Sequence, residues 1–254
     1  MTTASILSGR GVTKRFKGLT AMNQIDFDIP EGAIYGLIGP NGAGKSTLFN
    51  LITGYYPLSE GEIRFQDMPL GATPTYKRNQ MGIARAFQIS KPFPALSVRE
   101  NVMVGAMFGN PDRRDVARVT QEALDVTEMA DLADRTAEGL TAGALRKLEV
   151  ARAIATRPKL LLADEPCAGL NATETEDMVR CLRNIRARGT TVWLVEHDMK
   201  AVVSICDHIL VVDAGNKISE GTPQEVMNDP AVIAAYLGTP MEDIPGAGPA
   251  APGR

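Results

Sequence analysis

The sequence predicts an α/β protein: a mainly parallel core sheet, a small antiparallel β subdomain beside it, and an inserted helical subdomain. Three observations predict this. Near-continuous apolar runs at 33–39, 159–166 and 191–198 suit central strands covered on both faces. Helical patterns alternate with them, as in a doubly wound sheet. Residues 95–157 break that rhythm with almost purely helical patterning.

Taken in order, residues 6–35 and 61–70 are strand-like and turn-rich ("IPEGA", "LSEGEIRF"), which predicts the antiparallel sheet. "AIYGLIG" (33–39) runs into a glycine-rich loop, and "KSTLFNLITG" then predicts a helix stopped by Gly54 just past its C-terminus. The helical stretch 95–157 has a polar break at Gly109–Arg114. "KLLLADEP" (159–166) ends in two carboxylates and a proline. A charged helix is expected from Thr173 to Arg188, ended by Gly189, and "TVWLVEHD" (191–198) ends in acid, histidine, acid. The tail 239–254, rich in Gly, Pro and Ala, cannot bury enough apolar surface and is expected to be disordered.

Composition narrows the function. At 254 residues, 44% hydrophobic and 22% charged, the chain is ordinary globular material. A net charge of −3 gives no whole-surface reason to bind nucleic acid or an anionic membrane. Cys167, Cys181 and Cys206 are odd in number and lack paired spacing, so neither a disulfide framework nor a zinc site is expected, and a reduced, cytoplasmic chain is. No apolar run reaches the roughly 20 residues of a bilayer span, and the N-terminus lacks the order of a secretion signal. The chain is expected to dock on membrane proteins rather than to insert.

Gly39-Pro40-Asn41-Gly42-Ala43-Gly44-Lys45-Ser46-Thr47 fits the pattern G-x-x-x-x-G-K-[ST] between a strand and a helix. Phosphate oxygens must meet successive backbone N–H groups closely, so Gly42 and Gly44 are small. Lys45 brings charge to the β- and γ-phosphates, Ser46 offers a hydroxyl to Mg²⁺, and the helix aims its N-terminus at the anion. An ordinary glycine turn would need neither the Lys nor the Ser. Asp164 ends its strand where such sheets bind ligands, placed to hold Mg²⁺ directly or through water. Glu165 beside it can accept a proton from an attacking water. A nucleoside triphosphate with Mg²⁺ is the ligand these motifs predict.

With Phe16 in the N-terminal segment, the phosphate loop, Gln88 in "ARAFQ", the helix start at 140–144, Asp164-Glu165, the turn "AGLN" (168–171) and His197 in "VEHD", the chain resembles the ATP-binding subunits of ABC transporters. The resemblance covers about 5–238 and implies a P-loop NTPase cassette over 1–238, with its helical subdomain at about 89–157. It implies that Phe16 stacks on adenine; the lesser alternative is an edge or core aromatic. It implies that Gln88 touches Mg²⁺ or the attacking water, and that His197 hydrogen-bonds the γ-phosphate. Asn171 would end a turn that crosses to a partner, or be a plain turn residue. His208, in "CDHILVV", reads as structural. "VEHDM" and "PAVIAAYLG" narrow the resemblance to ATPases of branched-chain amino acid importers, although those carry more helix than 106–139 provides. The lipopolysaccharide-export ATPase resembles the chain at "AGLN" and at the C-terminal end. ATPases for urea or aromatic-acid uptake fall in the same group. The implied partners are a second ATP-binding subunit (identical or different), membrane permease subunits and, indirectly, a solute-binding protein. No nucleic acid is implied, and the implied location is the cytoplasmic face of the inner membrane.

One element departs from the family. The expected Leu-Ser-Gly-Gly-Gln signature reads Leu140-Thr141-Ala142-Gly143-Ala144. Thr141 keeps a hydroxyl and a good N-cap, and Leu145, Leu148, Ala151 and Ala155 follow at helical spacing. A methyl replaces hydrogen at Ala142, and an amide is missing at Ala144. The resemblance implies that Thr141, Ala142 and Gly143 serve the nucleotide on the partner's phosphate loop. Two readings follow: a motor with one weakened site, or a regulatory ATP-binding subunit with little hydrolysis of its own.

Overall fold

The computed structural model describes residues 4–109 and 115–236. The tail expected to be disordered, and the polar break beyond Gly109, lie outside them. In chain order the strands are β1 (Ser5–Phe16), β2 (Leu19–Pro30), β3 (Ile34–Ile38), β4 (Glu60–Phe65), β5 (Met68–Pro69), β6 (Ile83–Ala86), β7 (Leu160–Asp164), β8 (Thr191–Val195), β9 (His208–Asp213) and β10 (Asn216–Gly221). The helices are α1 (Lys45–Ile52), α2 (Thr75–Met81), α3 (Val98–Phe108), α4 (Val116–Val126), α5 (Ala142–Ile154), α6 (Ala172–Ala187), α7 (Met199–Ile205), α8 (Pro223–Met227) and α9 (Pro230–Tyr236).

The core sheet runs β10-β9-β3-β8-β7-β6, with β9, β3, β8, β7 and β6 parallel and only β10 reversed. The apolar runs are continuous because both faces are covered. Ile34, Leu161, Ala163, Val192, Leu194, Ile209 and Val211 face a cluster shared with α6 and α7. Their neighbours Tyr35, Leu37, Leu160, Leu162, Trp193, Leu210 and Val212 face a second cluster with α1 and the antiparallel sheet β2-β1-β4-β5. Trp193, fully buried, sits among Phe27, Tyr35 and Phe49 at centroid distances of 5.0–6.1 Å.

Helix ends fall where the sequence places them. Gly54 takes a left-handed φ of 78° just beyond α1, and Gly189 one of 92° beyond α6. Asn171 is the N-cap of α6, accepting from Glu174 N–H at 3.0 Å in a capping box. His208 stacks on Tyr35 at 6.3 Å, a structural role.

The helical region has its own core, in which Val98, Val102 and Ala106 of α3 and Ala123 and Leu124 of α4 pack on Leu148, Ala151 and Ala155. Helix α5 also belongs to the sheet, since Val150 and Ala153 join its first cluster. Glycines seat α3 against α5: a Cβ at Gly105 would stand 2.3 Å from Arg152 O, and one at Gly109 2.2 Å from Thr156 Cβ. Gly105→Ala is therefore expected to destabilise the protein by about 1–3 kcal/mol through overpacking. Thermal unfolding followed by circular dichroism reads this directly, and an unchanged midpoint would mean the two helices separate freely.

Candidate nucleotide site

Parallel strands send their C-terminal ends to one edge, and four loops leave it together. Leu37 pairs with Val195, Asp164 with Val195 and Ala86 with Ala163. The loops that follow carry Gly39–Thr47, Gln88, Glu165 and His197, so residues from all along the chain meet at one crevice.

The phosphate loop turns into α1 at Gly44, whose φ of 106° an L side chain rarely adopts. A Cβ there would also lie 2.6 Å from Ala21 O, so this glycine is required by strand β2 as well as by any phosphate. Gly42 differs: a Cβ there would meet nothing within 4 Å, which leaves its backbone open to a ligand. The far end of α1 is fixed by buried Arg78, which donates to Leu51 O at 2.7 Å and Ile52 O at 2.8 Å. Lys45, 7% exposed, donates from Nζ to Gly39 O (2.6 Å) and Pro40 O (3.0 Å). Burial lowers its pKa from the usual lysine value, while Glu165 and Asp164 oppose that shift.

Phe16 and residues 41–47 line a cleft of about 590 Å³ together with Leu19–Ala21, Glu165 and Ala214–Gly215. Tyr56 meets the Phe16 ring edge-on at 5.1 Å, and Lys14 Nζ lies 4.8 Å from its centroid. Phe16 is thus part of a small aromatic–cation cluster at the mouth of the cleft.

Two carboxylates leave β7 in opposite circumstances. Asp164 is nearly buried and paired with Arg85 Nη2 at 2.5 Å, both side chains under 10% exposed. Arg85 Nη1 also donates to Asn50 Oδ1 at 2.7 Å. Glu165 sits in the left-handed region at φ 47°, a strained conformation for a non-glycine residue. Its Oε2 accepts from Gln88 Nε2 at 2.5 Å and lies 3.7 Å from His197 Nδ1. The His197 side chain is 61% exposed, so its ring is accessible to a ligand. Just before it, Glu196 is fully buried and accepts from Cys167 N–H at 2.6 Å and His197 N–H at 3.2 Å. Burial raises its carboxyl pKa above the usual range, against the pull of those two N–H groups.

The residues expected to hold Mg²⁺ fit it. Ser46, Gln88 and Asp164 border one cavity of about 730 Å³ and offer hard oxygen donors. Among the described residues no group of three or more His, Cys, Asp or Glu could hold a metal ion.

Thr141, Ala142 and Gly143 do not line the phosphate cleft. They begin α5, with Thr141 Oγ1 accepting from Ala144 N–H at 3.3 Å. Gly143 packs against the start of α6, where a Cβ would lie 2.6 Å from Glu174 Oε1. Arg85 and Glu196 touch the candidate site residues and were given no role by sequence reasoning. The available signals were a charge inside a four-residue apolar strand and an acid directly before the histidine.

The ABC transporter family model matches residues 22–168, and that of the branched-chain amino acid ATP-binding cassette transporters matches 216–241. The chain is 38% identical to the high-affinity branched-chain amino acid transport ATP-binding protein BraF of Pseudomonas aeruginosa, over 92% of this chain and 98% of BraF. It is 39% identical, with the same coverage, to LivG of Escherichia coli, which has the same description. The lipopolysaccharide export system ATP-binding protein LptB of Haemophilus influenzae is 32% identical, again over 92% and 98%. Of solved structures, the ADP conformation of an ABC transporter ATP-binding cassette superposes with TM-score 0.84 at 29% identity, covering 93% of this chain and all of that one. A dimeric cassette in a post-hydrolysis state, bound to ADP and Pi, gives 0.75 at 25% identity, covering 85% and 98%.

Proposed function

Because the chain belongs to the ATP-binding cassette family of ABC transporters, which hydrolyse ATP to power transport, we propose that it drives an importer of branched-chain amino acids or related small solutes. The observation that carries the substrate class is the C-terminal match at 216–241, which belongs to the branched-chain group specifically. The greater identity to BraF and LivG than to LptB supports import over lipopolysaccharide export.

Cassettes of this family dimerise and work with membrane permease subunits. In the proposed cycle the ATP phosphates lie on the N–H groups of residues 39–47, and Phe16 takes the adenine. Lys45 leaves Gly39 O and Pro40 O for the β- and γ-phosphates. Ser46, Gln88 and Asp164 would hold Mg²⁺, which would neutralise phosphate charge. Glu165 accepts the proton of the attacking water, and His197 donates to the γ-phosphate and orients that water. Catalysis is then positioning and electrostatics. Exposed Phe87 and Ile89 line the 730 Å³ cavity beside Gln88, a surface suited to the permease. No helix among the described residues is long and apolar enough to cross a membrane, in keeping with peripheral attachment.

The expected test result is ATP-dependent uptake of labelled leucine by vesicles holding this chain with its co-purifying membrane and solute-binding subunits. ATP hydrolysis without uptake of any branched-chain amino acid would overturn the substrate class.

The altered signature favours a second refinement: a dimer with a different ATPase chain, in which this chain's own site is competent and the opposite site weaker. The intact set Lys45, Ser46, Gln88, Asp164, Glu165 and His197 argues against a purely regulatory subunit. Restoring the motif with Thr141→Ser, Ala142→Gly and Ala144→Gln is expected to raise ATPase activity of the assembled complex by up to about tenfold, the worth of one hydrogen bond in the barrier. Unchanged activity would show that the alteration costs the motor nothing.

A further inference from the structure

We infer that Glu196 is a positioning residue for hydrolysis: a buried clamp that sets where the Glu165 carboxylate and the His197 ring stand relative to each other. The inference rests on the roles proposed above for those two residues.

Strands β7 and β8 run side by side until their ladder ends, where Glu165 N–H donates to Val195 O at 2.9 Å. Beyond that point nothing in the sheet fixes the two loops, yet both must hold reacting groups. Glu165 leaves in a strained left-handed turn, and His197 leaves largely exposed. Glu196 bridges this gap. One carboxylate oxygen takes Cys167 N–H, two residues past Glu165, and the other takes the N–H of His197 itself. Each bond joins a buried carboxyl oxygen to a backbone donor, in surroundings where a hydrogen bond is stronger than in water.

A carboxylate is a costly way to end a core strand. Its side chain is fully buried, and the nearest basic group is His197 Nδ1 at 3.8 Å. An apolar residue would fill the same space without burying polar oxygens. What an apolar residue cannot do is accept from both loops at once. The turn after Glu165 would then lose its tie to the histidine loop, although the strands beneath would still pair. Displacements of about 1 Å in a reacting group cost on the order of 10²-fold in rate, so loosening this joint acts on turnover rather than on ATP binding, which the phosphate loop governs.

The test uses the assembled transporter carrying Glu196→Gln, which keeps one acceptor, and Glu196→Ala, which keeps none. Turnover is normalised to the fraction of complex that binds a fluorescent ATP analogue. The expected result is a kcat reduced by about 10- to 100-fold with a nucleotide Kd changed by less than about threefold, the Ala variant being the slower. In a Glu165→Gln background the Glu196 substitutions are expected to add less than their full loss, since part of their effect runs through that residue. A normalised kcat equal to the parent's in Glu196→Gln and Glu196→Ala overturns the inference, as does full additivity with Glu165→Gln. Near-normal hydrolysis by Glu165→Gln alone would instead overturn the assignment of the base, and is read separately.

Discussion

Glu165→Gln is expected to bind ATP with nearly the parent's affinity and to hydrolyse it about 10²–10⁴-fold more slowly, the range for loss of a general base. The geometry explains why the two effects separate. Glu165 lies beside the phosphate loop but contributes none of its N–H donors, and the Lys45 ammonium is held by Gly39 O and Pro40 O rather than by a carboxylate. An amide at this position can still meet Gln88 through its oxygen, so the loop keeps its partner. What disappears is the capacity to take a proton. Equilibrium binding of a fluorescent ATP analogue and single-turnover hydrolysis measure the two quantities. A variant that turns ATP over at near-parental rate would remove Glu165 from the base role. Lys45→Ala is the contrast: there the loss is expected in affinity, because the substitution strips charge from the phosphate site itself.

Arg85→Ala is expected to destabilise the nucleotide-free protein by about 3–5 kcal/mol, the usual cost of leaving one partner of a buried ion pair uncompensated. For a chain of this size that is a fall in Tm of roughly 6–20 °C. The stranded group would be Asp164, the residue proposed to meet Mg²⁺. Mg²⁺-ATP is therefore expected to raise the variant's Tm more than the parent's, because the ligand brings the missing positive charge to the same carboxylate. Calorimetry with and without Mg²⁺-ATP checks both parts. Equal ligand-induced shifts in the two proteins would mean that Arg85 and the metal do not share Asp164. Arg85 also faces the other way, its guanidinium 4.8 Å from the ring centroid of exposed Phe87.

The difference between Arg85 and Lys45 shows what a sequence can carry. Lys45 belongs to a local pattern: strand, glycines, Lys-Ser and helix stand together, and every member is needed for one physical task. Arg85 is a single charge in a short strand, and its partner lies 79 residues later. A charge in an apolar strand marks Arg85, but nothing periodic or local points to its partner. Glu196 was equally hidden, because burial of an acid beside a histidine depends on how two loops close over it. The sheet itself was readable, since strands covered on both faces must be apolar throughout. So were the helix stops at Gly54 and Gly189, where a left-handed φ demands glycine. The double allegiance of α5 was not, because residues 148–155 face two clusters at once and a single-face pattern describes only one of them.

The glycine seat between α3 and α5 bears on how force crosses the protein. Val104, Gly105 and Phe108 of α3 border the cavity beside Gln88, while the far end of α5 is the altered signature. Side chains that interlock through flexible tips can slip by changing rotamers, but Gly105 faces the backbone carbonyl of Arg152 and has no such slack. The tight seat at Gly105 thus joins the cavity beside Gln88 to the helix that begins at Thr141–Gly143. Under the roles proposed above, the pair of helices is a lever with one arm at the permease surface and the other at the partner's nucleotide.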